Sequence, residues 1–265
     1  MQIFDDNYSF LDENRIAELA MLSVIGGREE QQDCSGYEIT SDKLMTVICD
    51  GMGGHTGGKK ASNTAVEEFL RQYMLSENED DPEFFFENAI MSANSLICAF
   101  TDKDGNRQCS GTTAVSILIT KGILRWASIG DSRLYIHRSG ELVQATTDHN
   151  YAFTLSERLK NGEIDQQTYN KEMLRGNGLT SFLGVGRELR ADINIKGISL
   201  QSGDRILLTT DGLYKLVSDE EINRILLNFR NVGEAVQALE IKAEHRAFKK
   251  RTVRDNMTVA LINIK

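Results

Sequence analysis

A chain of 265 residues, 40% hydrophobic and 26% charged, holds enough apolar material for a sizeable core and excludes global disorder. Its formal charge of −9 and pI near 5.1 exclude a surface built mainly to neutralise nucleic acid or an anionic membrane. No run approaches the roughly 18 apolar residues of a membrane span, and Met1 to Glu18 lacks a basic segment followed by an apolar one, so a soluble, cytoplasmic protein is expected.

With one proline, no repeat and no Pro- or Gly-rich linker, residues 1–265 are expected to form a single domain. The apolar run Leu44 to Cys49 predicts a strand. A glycine-rich loop, Gly53 to Lys60, follows. Ala61 to Met74 then reads as a helix with Ala65, Phe69 and Tyr73 on one face. The acidic run Glu77 to Asp81 reads as a loop feeding a second helix, with Pro82 in its first turn and Phe85, Ala89, Ala93 and Leu96 at helical spacing. Strands are predicted at Thr112 to Ile119, Ile123 to Ala127 and Arg133 to His137. A polar, helix-like excursion from Tyr151 to Gly186 interrupts them and reads as a mobile, substrate-contacting flap. Strands resume at Ile193 to Ile198 and Arg205 to Thr210. Two amphipathic helices follow, Asp219 to Phe229 with Asp219 or Ser218 as N-cap and Val232 to Phe248, before a last strand, Met257 to Ile264. Strands grouped in this way favour antiparallel sheets with helices packed outside, a layered α/β sandwich, over strict βαβ alternation. Cys34, Cys49, Cys98 and Cys109 show no CxxC spacing and read as reduced, mostly buried thiols.

Three times an aspartate stands where a strand-like apolar run meets a turn: Val47-Ile48-Cys49-Asp50-Gly51, Leu207-Leu208-Thr209-Thr210-Asp211-Gly212, and Asp255-Asn256 before Met257. A sheet holds such a carboxylate rigidly, and a following glycine lets a carbonyl approach a cation. One Asp-Gly pair alone is an ordinary turn, whereas two at strand ends with a third aspartate point to an oxygen-only site for Mg²⁺ or Mn²⁺. Four scattered histidines offer no His/Cys zinc constellation. Arg28, in Gly26-Gly27-Arg28-Glu29-Glu30-Gln31-Gln32-Asp33, could grip two phosphate oxygens or form a surface salt bridge. The segment Gly53 to Lys60 nearly satisfies the phosphate-loop pattern GxxxxGK[ST], but Lys60 replaces the required hydroxyl and Asp50 would repel a bound phosphate.

Taken together, Arg28 to Asp33, Asp50-Gly51-Met52-Gly53-Gly54-His55, Ser110-Gly111-Thr112-Thr113-Ala114, Gly130-Asp131-Ser132-Arg133, Asp148-His149-Asn150, Leu179 through Gly184, Thr210-Asp211-Gly212 and Asp255-Asn256 resemble the PPM, or type-2C, protein phosphatases in their compact bacterial form. The resemblance runs from about Val24 to the C-terminus. It implies a four-layer α-β-β-α sandwich of two mainly antiparallel sheets flanked by helix pairs, with a flap subdomain at about 151–186. It further implies hydrolysis of phosphoserine or phosphothreonine in phosphoproteins by a water activated between two Mn²⁺ or Mg²⁺ ions, without a phosphoenzyme. On the same basis Asp50 bridges the metals, Gly51 gives one a carbonyl ligand, and Asp211 and Asp255 complete the other. Asp33 holds metal-bound water, Arg28 holds the substrate phosphate, and Asp131 with Asp211 supports a third, weaker ion. A serine/threonine kinase system as counterpart and a monomeric state are also implied. Met52 stands where many eukaryotic members have a histidine, which leaves the proton donor to the leaving group open, and His55 reads as a loop-packing or outer residue. Gln31 and Gln32 replace the more usual Asn and Glu. The rival readings are a non-catalytic phosphoprotein-binding relative and a metal-dependent phosphodiesterase or nuclease.

Overall fold

The computed structural model describes residues 2–76 and 81–265, and within them all side chains except those of 54–56. Two sheets face each other, and every strand pair in both is antiparallel. The first runs β1 (Gln2–Phe4), β4 (Asp33–Ile39), β5 (Lys43–Met52), β7 (Ala114–Thr120), β8 (Ile123–Ile129) and β11 (Asp192–Ser199), with the short β6 (Gly111–Thr112) paired to the end of β5. The second runs β10 (Glu141–Gln144), β9 (Arg133–Arg138), β12 (Arg205–Thr209), β13 (Met257–Ile264), β3 (Ala17–Val24) and β2 (Tyr8–Glu13).

Side-chain alternation divides the core into three slabs and so sets the layering. On β5, Met45, Val47 and Cys49 pack under the helices α1 (Gly54–Leu75) and α2 (Pro82–Cys98), while Leu44 and Ile48 point between the sheets. On β12, Leu208 and Ile206 point between the sheets, while Leu207 meets α5 (Asp211–Tyr214), α6 (Asp219–Asn228) and α7 (Val232–Lys250). Strands covered on both faces need apolar residues at consecutive positions, which is why these runs are legible. Burying one such Leu or Ile contributes roughly 1.5–3 kcal/mol. The result is the expected α-β-β-α sandwich. Residues 151–186 leave the sheets as two short helices, α3 (Tyr151–Lys160) and α4 (Gln166–Glu172), and a 3-10 turn, Met173–Arg175.

Several expectations need correction. The segment Gly53 to Lys60 is not a loop beyond Gly53, since α1 begins at Gly54. Four strands before Leu44 go unforeseen. β3 consists largely of good helix formers, Ala17-Glu18-Leu19-Ala20-Met21-Leu22, whose intrinsic preference is overridden by pairing on both sides and burial on both faces. On α2, Phe85, Ala89 and Ala93 are buried as expected, but Leu96 is exposed and Ile97 takes the core position. Ser218, not Asp219, caps α6, in a reciprocal capping box with Glu221. Asp81 caps α2 by accepting from the Phe84 amide at 3.0 Å, while the rest of the acidic run, 77–80, lies outside the described residues, as does the side chain of His55. Cys34 and Cys49 are buried, Cys98 half-buried and Cys109 exposed.

Candidate active site

One edge of the sandwich collects the C-terminal ends of β5, β8 and β12 and the N-terminal end of β13. Between them opens a cleft of about 750 Å³ whose lining includes Arg28, Asp50, Gly51, Asp131, Asp211 and Asp255. All the residues singled out from sequence as direct ligands or phosphate contact therefore meet. Asp33 does not line the cleft; it lies behind Asp50, its cross-strand partner, and is buried.

Asp50 is fixed through its backbone. Its amide donates to Thr113 Oγ1 at 2.9 Å, and its carbonyl accepts from the Thr113 amide at 2.9 Å and Thr112 Oγ1 at 2.8 Å. Thr113 Oγ1 in turn lies 2.7 Å from Ser132 Oγ, next to Asp131. Gly51 touches the start of α1 so closely that a Cβ would stand 2.2 Å from the Gly58 carbonyl oxygen, which explains a glycine here and the glycines opening the helix. Behind them, Asp33 Oδ2 accepts from Thr210 Oγ1 at 2.9 Å and Thr258 Oγ1 at 2.8 Å. Thr210 directly follows β12 and Thr258 lies in β13, so Asp33 ties the first sheet to the second.

Asn256 organises the opposite wall. Its amide nitrogen donates to the carbonyls of Ile25 at 2.9 Å and Glu30 at 3.1 Å, and its oxygen accepts from the Gln32 amide at 2.9 Å. The loop that carries Arg28 thus hangs on the residue next to Asp255, and Arg28 Nη2 donates to Asp255 Oδ2 at 2.6 Å. Gly212 packs against the same segment: a Cβ there would lie 2.1 Å from the Asn256 carbonyl oxygen. Gln31 is a bracket within this wall, donating to Ser23 Oγ at 2.9 Å and accepting from the Asp33 amide at 3.1 Å. On the far side, the Asp131 carbonyl accepts from Tyr214 Oη at 2.9 Å, and Arg133 pairs with both oxygens of Asp148 at 3.0 and 2.7 Å while lying over the Tyr214 ring. From residues 151–186, Asn177 and Leu179 reach the cleft, and α3 is anchored to that segment by the Tyr151 amide on Gly178 O at 2.8 Å.

Like charges dominate the electrostatics. Burial pushes the Asp33 carboxyl up to about 7, despite its two hydroxyl donors, with Asp211 and Asp255 adding to the rise. Asp50 is driven well above the usual carboxylate range, first by burial and then by Asp33, Asp211, Asp131 and Asp255. Asp131 is raised by burial and by Asp211. Such a group of ionised carboxylates persists only beside positive charge.

A model of protein phosphatase 2C matches residues 23–247. The chain belongs to this family. Among its relatives, the serine/threonine phosphatase stp of Listeria monocytogenes is 28% identical over 239 residues, 89% of this chain and 90% of the relative. The protein phosphatase PhpP of Streptococcus pneumoniae is 28% identical over 251 residues, covering 93% and 97%. The structure of the Streptococcus agalactiae serine/threonine phosphatase superposes with a TM-score of 0.80 at 26% identity, over 94% of this chain and all of that one. The catalytic domain of the serine/threonine protein phosphatase PstP, solved with two manganese ions, superposes with a TM-score of 0.75 at 28% identity, over 94% and 98%.

The phosphatase's own residues fit hard divalent cations. The donors are carboxylates and a carbonyl, and two buried carboxylate oxygens, Asp33 Oδ1 and Asp211 Oδ1, have no hydrogen-bond partner among the described residues. Cations of the chain engage two of the cleft carboxylates: Arg28 holds Asp255 and Lys215 holds Asp211. Lys215 was missed from sequence although it stands four residues after Asp211, one helical turn away. Thr210, Thr258 and Asn256 were missed as positioning residues because hydroxyls and amides near strand ends carry no signal of their own.

Proposed function

We propose that this phosphatase hydrolyses phosphoserine and phosphothreonine in phosphoproteins, with two Mn²⁺ or Mg²⁺ ions and a third, weaker one. The reading is carried by the convergence of Asp50, Asp131, Asp211 and Asp255, residues spread across most of the chain, on one cleft that also holds Arg28. Asp50, the Gly51 carbonyl, Asp211 and Asp255 would hold the two principal ions, and Asp131 with Asp211 the third. When bound, such ions make water nucleophilic near neutral pH and neutralise charge on the phosphoryl oxygens.

The chain's side chains do the rest. Arg28 lines the cleft with its guanidinium half exposed, and among the described residues it spends one donor group on Asp255. The remaining N–H fork suits two oxygens of a phosphate monoester. Asp33, gripped by Thr210 and Thr258 behind Asp50, keeps a buried Oδ1 without a partner among the described residues, which would serve as an acceptor for water. Thr113 holds the Asp50 backbone and Asn256 the loop that carries Arg28, so each wall is braced by its own hydrogen bonds. Lys215, by pairing with Asp211, supplies positive charge to the carboxylate cluster.

We further propose that residues 1–265 act as one domain, that the protein works as a monomer in the cytoplasm, and that a serine/threonine kinase system supplies its substrates. No helix among the described residues is long and apolar enough to cross a membrane. Phosphate release from a phosphothreonine peptide, measured with Mn²⁺, with EDTA and for Asp211→Asn, tests the assignment: turnover needing both metal and Asp211 is expected, and turnover by the mutant would overturn it. A linear phosphodiester offered with the same metal separates the monoesterase from a phosphodiesterase.

A further inference from the structure

The segment that leads to Val253 and Asp255 in the cleft wall carries positive charge that the proposed chemistry does not use. Residues 242–254 contain Lys242, Arg246, Lys249, Lys250, Arg251 and Arg254 against a single acidic residue, Glu244, in a chain of net charge −9. Three of these cations have structural partners: Lys242 and Arg246 bind Glu221, and Arg254 binds Glu240 at 3.1 Å. Lys249, Lys250 and Arg251 are exposed and have no acidic partner among the described residues. They stand where α7 ends, with Arg251 in the left-handed conformation at φ 50° as its C-cap.

One contact and one neighbour relate them to the cleft. Lys250 Nζ donates to the carbonyl of Lys215, the residue that holds Asp211, at 3.4 Å. Two residues past Arg251, Val253 is 71% exposed and lines the catalytic cleft. A β-branched apolar side chain left open beside a phosphate-binding arginine has surface to offer a bound chain and no core to fill. Glu29 and Glu30 also line the cleft, and Glu30 extends into a second depression with Lys59 and Lys60 of α1, where acid and base are mixed.

We infer that Lys250, Arg251 and Val253 form a substrate-reading ridge that favours phosphopeptides with acidic residues flanking the phosphorylated one. This rests on the phosphatase reading above and adds the substrate class. An extended peptide whose phosphate lies at Arg28 runs one flank over Val253, and its carboxylates then meet the Lys250 and Arg251 charges. The competing explanation is that Lys249 and Lys250 only complement the negative end of the α7 dipole. That role affects helix stability but does not distinguish one peptide from another.

The test compares kcat/KM for phosphothreonine peptides identical except for Asp/Glu or Lys/Arg on one flank or the other, at low and high ionic strength. Measurements are made on the wild-type protein with Mn²⁺ and on Lys250→Glu/Arg251→Glu. Exposed ion pairs predict a wild-type preference of about fivefold for the acidic peptides at low salt, compressed as the Debye length shortens, and lost or inverted in the double variant. Equal kcat/KM for acidic and basic peptides, or a preference unchanged in the variant, would overturn the ridge. Wild-type turnover of p-nitrophenyl phosphate isolates the underlying reading: if it is metal-dependent while the peptides are not distinguished, only the ridge fails, and if neither substrate is turned over the phosphatase reading fails with it. Melting of the variant by circular dichroism reports the helix-end role; a lowered Tm with an unchanged peptide preference assigns these cations to the helix and overturns the ridge.

Discussion

Two sets of buried carboxylates in this molecule have opposite fates. Between α6 and α7, Glu221 accepts from Arg246 and Lys242 and closes the capping box, and the Arg246 bond, with Lys242 and the Ser218 amide, holds its carboxyl down to about 2. At the cleft, Asp33 and Asp50 are buried among other carboxylates, and their values rise. The first set is neutralised by the chain and stabilises the fold. The second is under-neutralised by the chain, so folding alone is opposed by it, and a bound cation would relieve the repulsion. On the proposed reading, stability and catalysis are served by carboxylates at different places on the same sandwich.

The sharpest break of this contrast is Asp50→Asn. Turnover of a phosphopeptide should fall by on the order of 10³-fold or more, while the metal-free protein melts no lower than wild type because one repelling charge is gone. A large drop in metal-free Tm would show that Asp50 serves stability like Glu221. Next, Mn²⁺ at about a hundred times its Kd should stabilise the wild type by about 2.7 kcal/mol, or roughly 5–10 °C in a melt of a chain this size. The shift should persist in Glu221→Gln and vanish in Asp50→Asn. Thr258→Val removes one of the two donors holding Asp33, and calorimetry should find Mn²⁺ affinity weaker by about tenfold. Unchanged affinity would separate Asp33 from the metal centre.

The smallest effect belongs to Glu221→Gln, which should destabilise by about 1–2 kcal/mol near neutral pH through loss of charge-assisted hydrogen bonds, with kcat unchanged. Because the folded-state value of Glu221 lies below the ordinary value of 4.5, its contribution is complete above that pH and is lost as pH falls toward about 2. Urea melts across this window should show the gap between wild type and variant closing. A gap constant with pH would mean the cap geometry, not the charge, carries the effect.

Asp50, Asp211 and Asp255 were legible because each stands where an apolar strand meets a turn, a pattern with a physical reason. What escaped was held by tertiary proximity. Glycines opening α1 read as a loop because intrinsic propensity penalises them, yet the helix must start against Gly51, where a side chain has no room. The strand β2 alternates exposed and half-buried residues at the sheet edge and has too weak an apolar pattern to stand out. Asn256 was visible as a motif member, but its three bonds join residues more than 220 positions apart, a relation that local pattern cannot express.

The position of β13 also bears on how the protein comes into being. This strand lies in the middle of the second sheet, between β12 and β3, and it or the residues just before it carry Asp255, Asn256 and Thr258. During synthesis from the ribosome, β2 and β3 emerge first but have no central neighbour until residues 257–264 are available to pair. Two half-sheets with exposed edges must wait for this strand, and such non-local closure is slow. Until β13 has paired, Asp255, Asn256 and Thr258 are not in place beside Asp50 and Asp33.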